Sequence, residues 1–162
     1  MLKTTHVAVE KTMKAYGRFA AMVGTSTLVM FGLMYLNTYE LDHVFFSETR
    51  AYMALVMGAV MALIMLGFML HMLRNPTANR LIALGSVVVF AIALWLVRSQ
   101  ATVDDVSYMR AMIPHHSIAI MASRRARITD ERVRRLADGI AQTQVREIAE
   151  MKQLIQDLRK RE

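Results

Sequence analysis

The sequence predicts an all-α protein in which three transmembrane helices are followed by an extramembrane helical hairpin. Two observations lead there. Hydrophobic residues make up 55% of the 162 positions, above the roughly 45–50% usual for soluble chains, and nearly all of the excess precedes residue 98. Beyond that point charged residues interleave with apolar ones at the three-and-four spacing of a helix face. The chain accordingly divides into an N-terminal segment at 1–18, a membrane domain at 19–98 and a hairpin domain at 103–162.

Residues 19–36 carry no charge over 18 positions, residues 51–73 none over 23, and residues 81–97 none over 17. Each reaches or approaches the ~20 residues that cross ~30 Å of hydrocarbon at 1.5 Å per residue. The first run is expected to be an uncleaved signal anchor, because no polar region with a small-residue cleavage site follows its core. Lys3, Lys11, Lys14 and Arg18 precede it, and Arg74 and Arg80 separate the second run from the third. Residues 37–50 instead set Arg50 against Glu40, Asp42 and Glu48. The positive-inside rule then puts the N-terminus and the 74–80 loop in the cytoplasm, and three spans carry the hairpin to the opposite side. In the second run, Met53, Met57, Met61, Met65 and Met69 form one ridge at i+4 spacing, followed by His71 and Met72. A thioether ladder for a soft ion is one meaning of that ridge. Adaptable packing against a neighbouring helix is the preferred one. Tyr39, Asp42, His43 and Glu48 make a small polar group in the outer loop, most simply a solvated one.

The first hairpin helix is expected over about 104–127, with Asp104 and Asp105 at its positive N-terminal end. Tyr108, Met112, His115, Ala119, Ala122 and Ala126 share one face, and Pro114 predicts a kink or break just before His115. The second helix is expected to start near Thr129 or Asp130, with Thr129 as its cap. Its apolar stripe is Val133, Leu136, Ala137, Ile140, Ile148, Met151, Ile155 and Leu158, interrupted by Gln144 and edged by Glu147. Two helices of this size cannot bury a full core alone. A homodimer closing a four-helix bundle is the economical solution, and packing onto the chain's own membrane helices is the other.

Zero cysteines exclude disulfides, thiolate zinc sites and cysteine nucleophiles. The net charge of +7 invites a nucleic-acid reading. Residues 101–162 nevertheless hold 12 basic and 9 acidic residues, interleaved, and no nucleic-acid motif accompanies the cluster from Arg124 to Arg135. A salt-bridged surface is expected, with no nucleic acid as partner. The hairpin carries neither the Glu-x-x-His ligand pairs of di-iron bundles nor a nucleophile-base pair, so binding is expected rather than catalysis.

The stretch "MIPHHSIAIMA" sets His115 and His116 among methionines. Met112 and His116 are i and i+4 on one helix face, with His115 close by, whereas Met121 falls opposite unless Pro114 distorts the helix. Gln144, Glu147 and Met151 stand on the partner helix. Thioether with imidazole favours Cu(I), and imidazole with carboxylate accepts Cu(II), zinc or iron. Ordinary hydrogen-bonded histidines are the competing explanation.

"MIPHHSIAIMA" followed by "LADGIAQTQVREIAEM" resembles the signature of the bacterial family called domain of unknown function 305, over roughly residues 103–162. The resemblance implies a ferritin-like helical fold and a periplasmic copper-binding role in copper tolerance. Carried onto this sequence, it points to Met112, His115, His116 and Met121 in the first motif and to Gln144, Glu147 and Met151 in the second. Ser117 and Ile118 stand where such proteins often have a more polar pair, and one hairpin is present rather than two in tandem. The expectation is an inner-membrane protein, with a cytoplasmic N-terminus, that presents a periplasmic hairpin for Cu(I) sequestration or hand-off. Its expected partners are the lipid bilayer, the metal ion, a second copy of the chain and copper-trafficking proteins. The rival readings are an assembly protein whose His pair fixes helix packing, a metal-transport or oxidoreductase component using the methionine ridge, and a cytoplasmic hairpin whose arginine cluster lies on anionic lipid.

Overall fold

The computed structural model describes residues 2–160, with side chains from residue 12 onward. Met1, Arg161, Glu162 and the side chains of Lys3 and Lys11 lie outside the described residues. Five α-helices run in order: α1 Leu2–Leu33, α2 Glu48–Met69, α3 Pro76–Ser99, α4 Asp105–Arg125 and α5 Glu131–Arg159. A single 3₁₀ turn, Leu41–His43, interrupts the α1–α2 connection. The all-helical class holds, with no strand among the described residues.

The chain forms two compact units. The first comprises Met1–Gly32 and Ala51–Gln100, and the second Leu33–Arg50 and Ala101–Glu162. Among the described residues of the first unit, two helices are long and apolar enough to cross a membrane, α2 and α3. Their most apolar windows are only 28% and 6% buried within the protein. A core helix of a soluble protein would be covered, so these surfaces suit an apolar solvent. The expected first span, 19–36, is not among them. Helix α1 stops at Leu33, so its uncharged part, residues 19–33, reaches only about 22 Å at 1.5 Å per residue. Any longer window along the helix takes in Arg18.

Phe19 of α1 is buried with Ala62, Leu66 and Leu73, and Met65, Met69, Ile82 and Ala83 pack around them. The C-terminal end of the methionine ridge therefore does packing work. The Tyr16 hydroxyl donates to Asn79 Oδ1 at 2.7 Å and accepts from the Asn75 N–H at 3.2 Å. Asn75 also caps α3, its side chain accepting from the N–H groups of Thr77 and Ala78 with Pro76 in the first turn. Gly58 faces Thr27 so closely that a Cβ there would overlap the threonine hydroxyl. That hydroxyl is itself held by the Val23 carbonyl at 2.8 Å.

In the second unit, Asp104 caps α4 by accepting from the Ser107 N–H at 2.7 Å. Asp130, rather than Thr129, caps α5, accepting from the Arg132 N–H at 2.8 Å. Helix α4 runs unbroken through Pro114, which is fully buried, so the expected break is absent. The buried face of α4 is also not the expected one. Met109, Ile113, Ser117 and Ile120 point inward, while Tyr108, His115 and Ala122 are exposed. Ile113 and Ile120 bury far more apolar surface than the alanines of the competing face, so they set the helix rotation. On α5 the buried line is Ala137, Ala141, Ile148 and Ile155. Val133, Leu136 and Ile140 stand out to solvent.

What covers one side of the hairpin is the chain's own segment before α2. Tyr39 and Phe45 pack against the core of Met109, Ile113, Ile120, Ile148 and Ile155. Arg50 donates to the Met34 carbonyl at 2.9 Å and stacks on the Tyr35 ring, 4.5 Å from its centroid, which holds the segment's two ends together.

Candidate metal centre

Helices α4 and α5 leave a groove of about 690 Å³ lined by Asp105, Tyr108, Met109, His116, Glu147, Glu150, Met151, Leu154 and Leu158. Periodicity explains the α4 side. Residues 105, 109 and 116 are separated by four and seven positions and therefore share a face. His116 Nδ1 lies 3.2 Å from Glu147 Oε2, and the two side chains are 14% and 42% exposed. The contact lacks hydrogen-bond alignment, which leaves His116 Nδ1 buried and without a partner. Burial pushes the His116 pKa below its ordinary value, Glu147 opposes that shift, and His115 adds to it. A histidine in this setting stays neutral near pH 7, the form that binds metals.

The groove brings together three of the seven residues anticipated as ligands: His116, Glu147 and Met151. His115 is exposed, its ring centroid 6.0 Å from that of His116. Met112 and Met121 are half-buried and do not line the groove. Gln144 belongs to a different concavity on α5, with Arg135, Leu136, Gly139, Ile140 and Thr143. Met109 is the residue the sequence reading missed. Its seven-residue offset from His116 was the available signal, obscured by the nearer Met112. Thioethers from Met109 and Met151, a neutral imidazole, and carboxylates from Glu147, Glu150 and Asp105 make a mixed soft and hard donor set.

Ser117, next to the His pair, is fully buried and carries a second polar cluster. Its Oγ accepts from the Tyr39 N–H at 2.8 Å and sits 3.0 Å from His43 Nδ1. Lys152 of α5 bonds Asp42, and the Arg124 guanidinium lies over the Tyr39 ring and donates to its hydroxyl at 3.3 Å. The outer-loop residues that looked merely solvated are thus fastened to the hairpin. The Lys152 bond holds the Asp42 carboxyl below the usual range.

Residues 105–162 match the family model described as "Domain of unknown function (DUF305)". An uncharacterized protein of Acanthamoeba polyphaga mimivirus is 34% identical over 106 residues, 60% of this chain and 68% of that protein. That share is larger than residues 105–162 account for, so the likeness extends outside the family-matched stretch. No solved structure matches the chain. The α4–α5 hairpin with its histidine pair is the matched stretch, and the chain belongs to the DUF305 family.

Proposed function

We propose that the protein is a membrane-anchored copper-binding protein, which takes Cu(I) into the α4–α5 groove for sequestration or hand-off. The observation that carries this reading is the unpartnered, buried Nδ1 of neutral His116 between Glu147 and the thioethers of Met109 and Met151. A buried polar atom without a partner is costly, and a cation with a lone-pair vacancy removes that cost. His116, Met151 and Met109 are the soft donors, and Glu147 supplies the countercharge. Binding is the role assigned, not catalysis. The competing role, a packing contact between His116 and Glu147, draws on the same 3.2 Å approach but leaves the orphaned nitrogen unexplained.

The anchor is the α2–α3 pair, joined by a loop carrying Arg74, with Arg80 following near the start of α3. Both ends of that pair lead into the second unit, so the 33–50 segment and the hairpin share one side whatever α1 does. The positive-inside rule makes that side periplasmic, at the inner membrane. A second copy of the chain against Val133, Leu136 and Ile140 is the proposed route to a ferritin-like four-helix bundle.

Anaerobic Cu(I) competition against a chromophoric chelator tests the site. The expected result is tight binding, lost in His116→Ala and weakened in Met151→Ala. Wild-type protein that leaves copper with a chelator of micromolar strength overturns the reading. Reporter fusions after Gln100 test the topology.

A further inference from the structure

We propose that Glu40, Asp42 and His43 form a second metal site, on the 33–50 segment, for a borderline divalent cation such as zinc or cupric copper. Their ligand atoms all lie within 4.8 Å of one another. His43 Nε2 stands 3.6 Å from Asp42 Oδ1 and 3.7 Å from Glu40 Oε2. These gaps are too long for good hydrogen bonds. Donors bound at about 2.1 Å to a tetrahedral ion stand about 3.4 Å apart, so the two histidine–carboxylate gaps need only a slight contraction to close around one.

Orientation of the donors sets this group apart from an ordinary acidic surface. The His43 side chain is 8% exposed, and its Nδ1 is anchored on buried Ser117. A serine oxygen has two lone pairs. It accepts the Tyr39 N–H with one and can accept an Nδ1–H with the other, which leaves the Nε2 lone pair directed at the two carboxylates. Lys152 holds Asp42 by Oδ2, so the oxygen facing His43 is the free one, Oδ1. Each of these two ligands is therefore held from behind by a residue of the hairpin. Two carboxylates beside one ammonium leave the cluster a net negative charge, which favours a cation. One imidazole with two carboxylate oxygens and no sulfur selects a borderline divalent ion over Cu(I), with water in the remaining position. Occupancy would tie the segment before α2 to α4 and α5.

The proposal uses different residues and a different ion from the groove, so either can fail alone. Detergent-solubilised full-length protein is titrated with Zn(II) against a chromophoric chelator, beside Glu40→Gln, Asp42→Asn and His116→Ala. Glu40 and Asp42 side chains are 55% and 66% exposed, so their variants keep the fold, which circular dichroism verifies. The expected result is one zinc equivalent that persists in His116→Ala and is weakened at least tenfold in each carboxylate variant. Zinc X-ray absorption should show nitrogen and oxygen donors without sulfur. Zinc binding that is unchanged in both carboxylate variants, or no zinc binding by the wild type, overturns the proposal.

Discussion

Removing one oxygen from the centre of the second unit should loosen the whole α1–α2 connection from the hairpin. In Ser117→Ala, the Tyr39 N–H loses its acceptor and His43 Nδ1 its hydroxyl neighbour. A net hydrogen bond is worth about 0.5–1.5 kcal/mol, and a stranded buried group costs about 1–3 kcal/mol. His43 is buried and carries the larger cost, whereas half-buried Tyr39 can recover a water. Alanine returns roughly 0.5 kcal/mol through its helix propensity. The balance is a loss of about 2 kcal/mol, close to a 30-fold shift in docking of the segment. Hydrogen exchange reads this directly: the Tyr39 amide and its neighbours through Ser47 should exchange about 30-fold faster, while the amides of α2 and α3 keep their rates. If Tyr39 exchange stays within twofold of wild type, the Ser117 contacts are not what holds the segment. The argument from buried pairing would then be refuted.

Three further outcomes follow from the geometry. Gly58→Ala should destabilise the first unit by roughly 1–3 kcal/mol through overlap with Thr27, whereas Gly67→Ala on the same helix, with open space around it, should be neutral or stabilising by up to about 1 kcal/mol; thermal melts in detergent separate them. Because the folded pKa of His116 is depressed by burial, the unfolded chain binds the extra proton first. Its contribution to stability is therefore intact above the ordinary histidine value of about 6.5 and falls as pH drops from there through the folded pKa. Denaturant titrations of apo-protein across that window should show the fall, and His116→Ala should flatten it. Leu136→Glu with Ile140→Glu should leave the helix content unchanged and shift any dimer to monomer in light scattering.

Hydropathy made α2 and α3 legible, because long uncharged runs have few alternatives in a helical chain. The same measure overreached at 19–36, where absence of charge does not reveal that the helix stops at Leu33. Capping chemistry located the start of α4, and it missed that of α5 by one residue because Thr129 and Asp130 are both good caps. Rotation of α4 was misread: one face held the conspicuous Tyr108, Met112 and His115, but Ile113 and Ile120 decide burial. With that rotation Met109, not Met112, lines the groove beside His116. The contribution of 33–50 was out of reach, since Tyr39 and Ser117 are 78 positions apart and local pattern carries no record of such a pairing.

That separation also has a meaning in time. At about 5–20 residues per second of synthesis, Ser117 is made some 4–16 s after Tyr39, with two apolar helices translated in between. Tyr39 and Phe45 are thus laid down as a waiting half of a core whose other half does not yet exist. During those seconds their rings lack the α4 and α5 side chains against which they pack. The hairpin, arriving later, closes a separation of 78 positions when it docks, a cost that grows only slowly with the length of chain between.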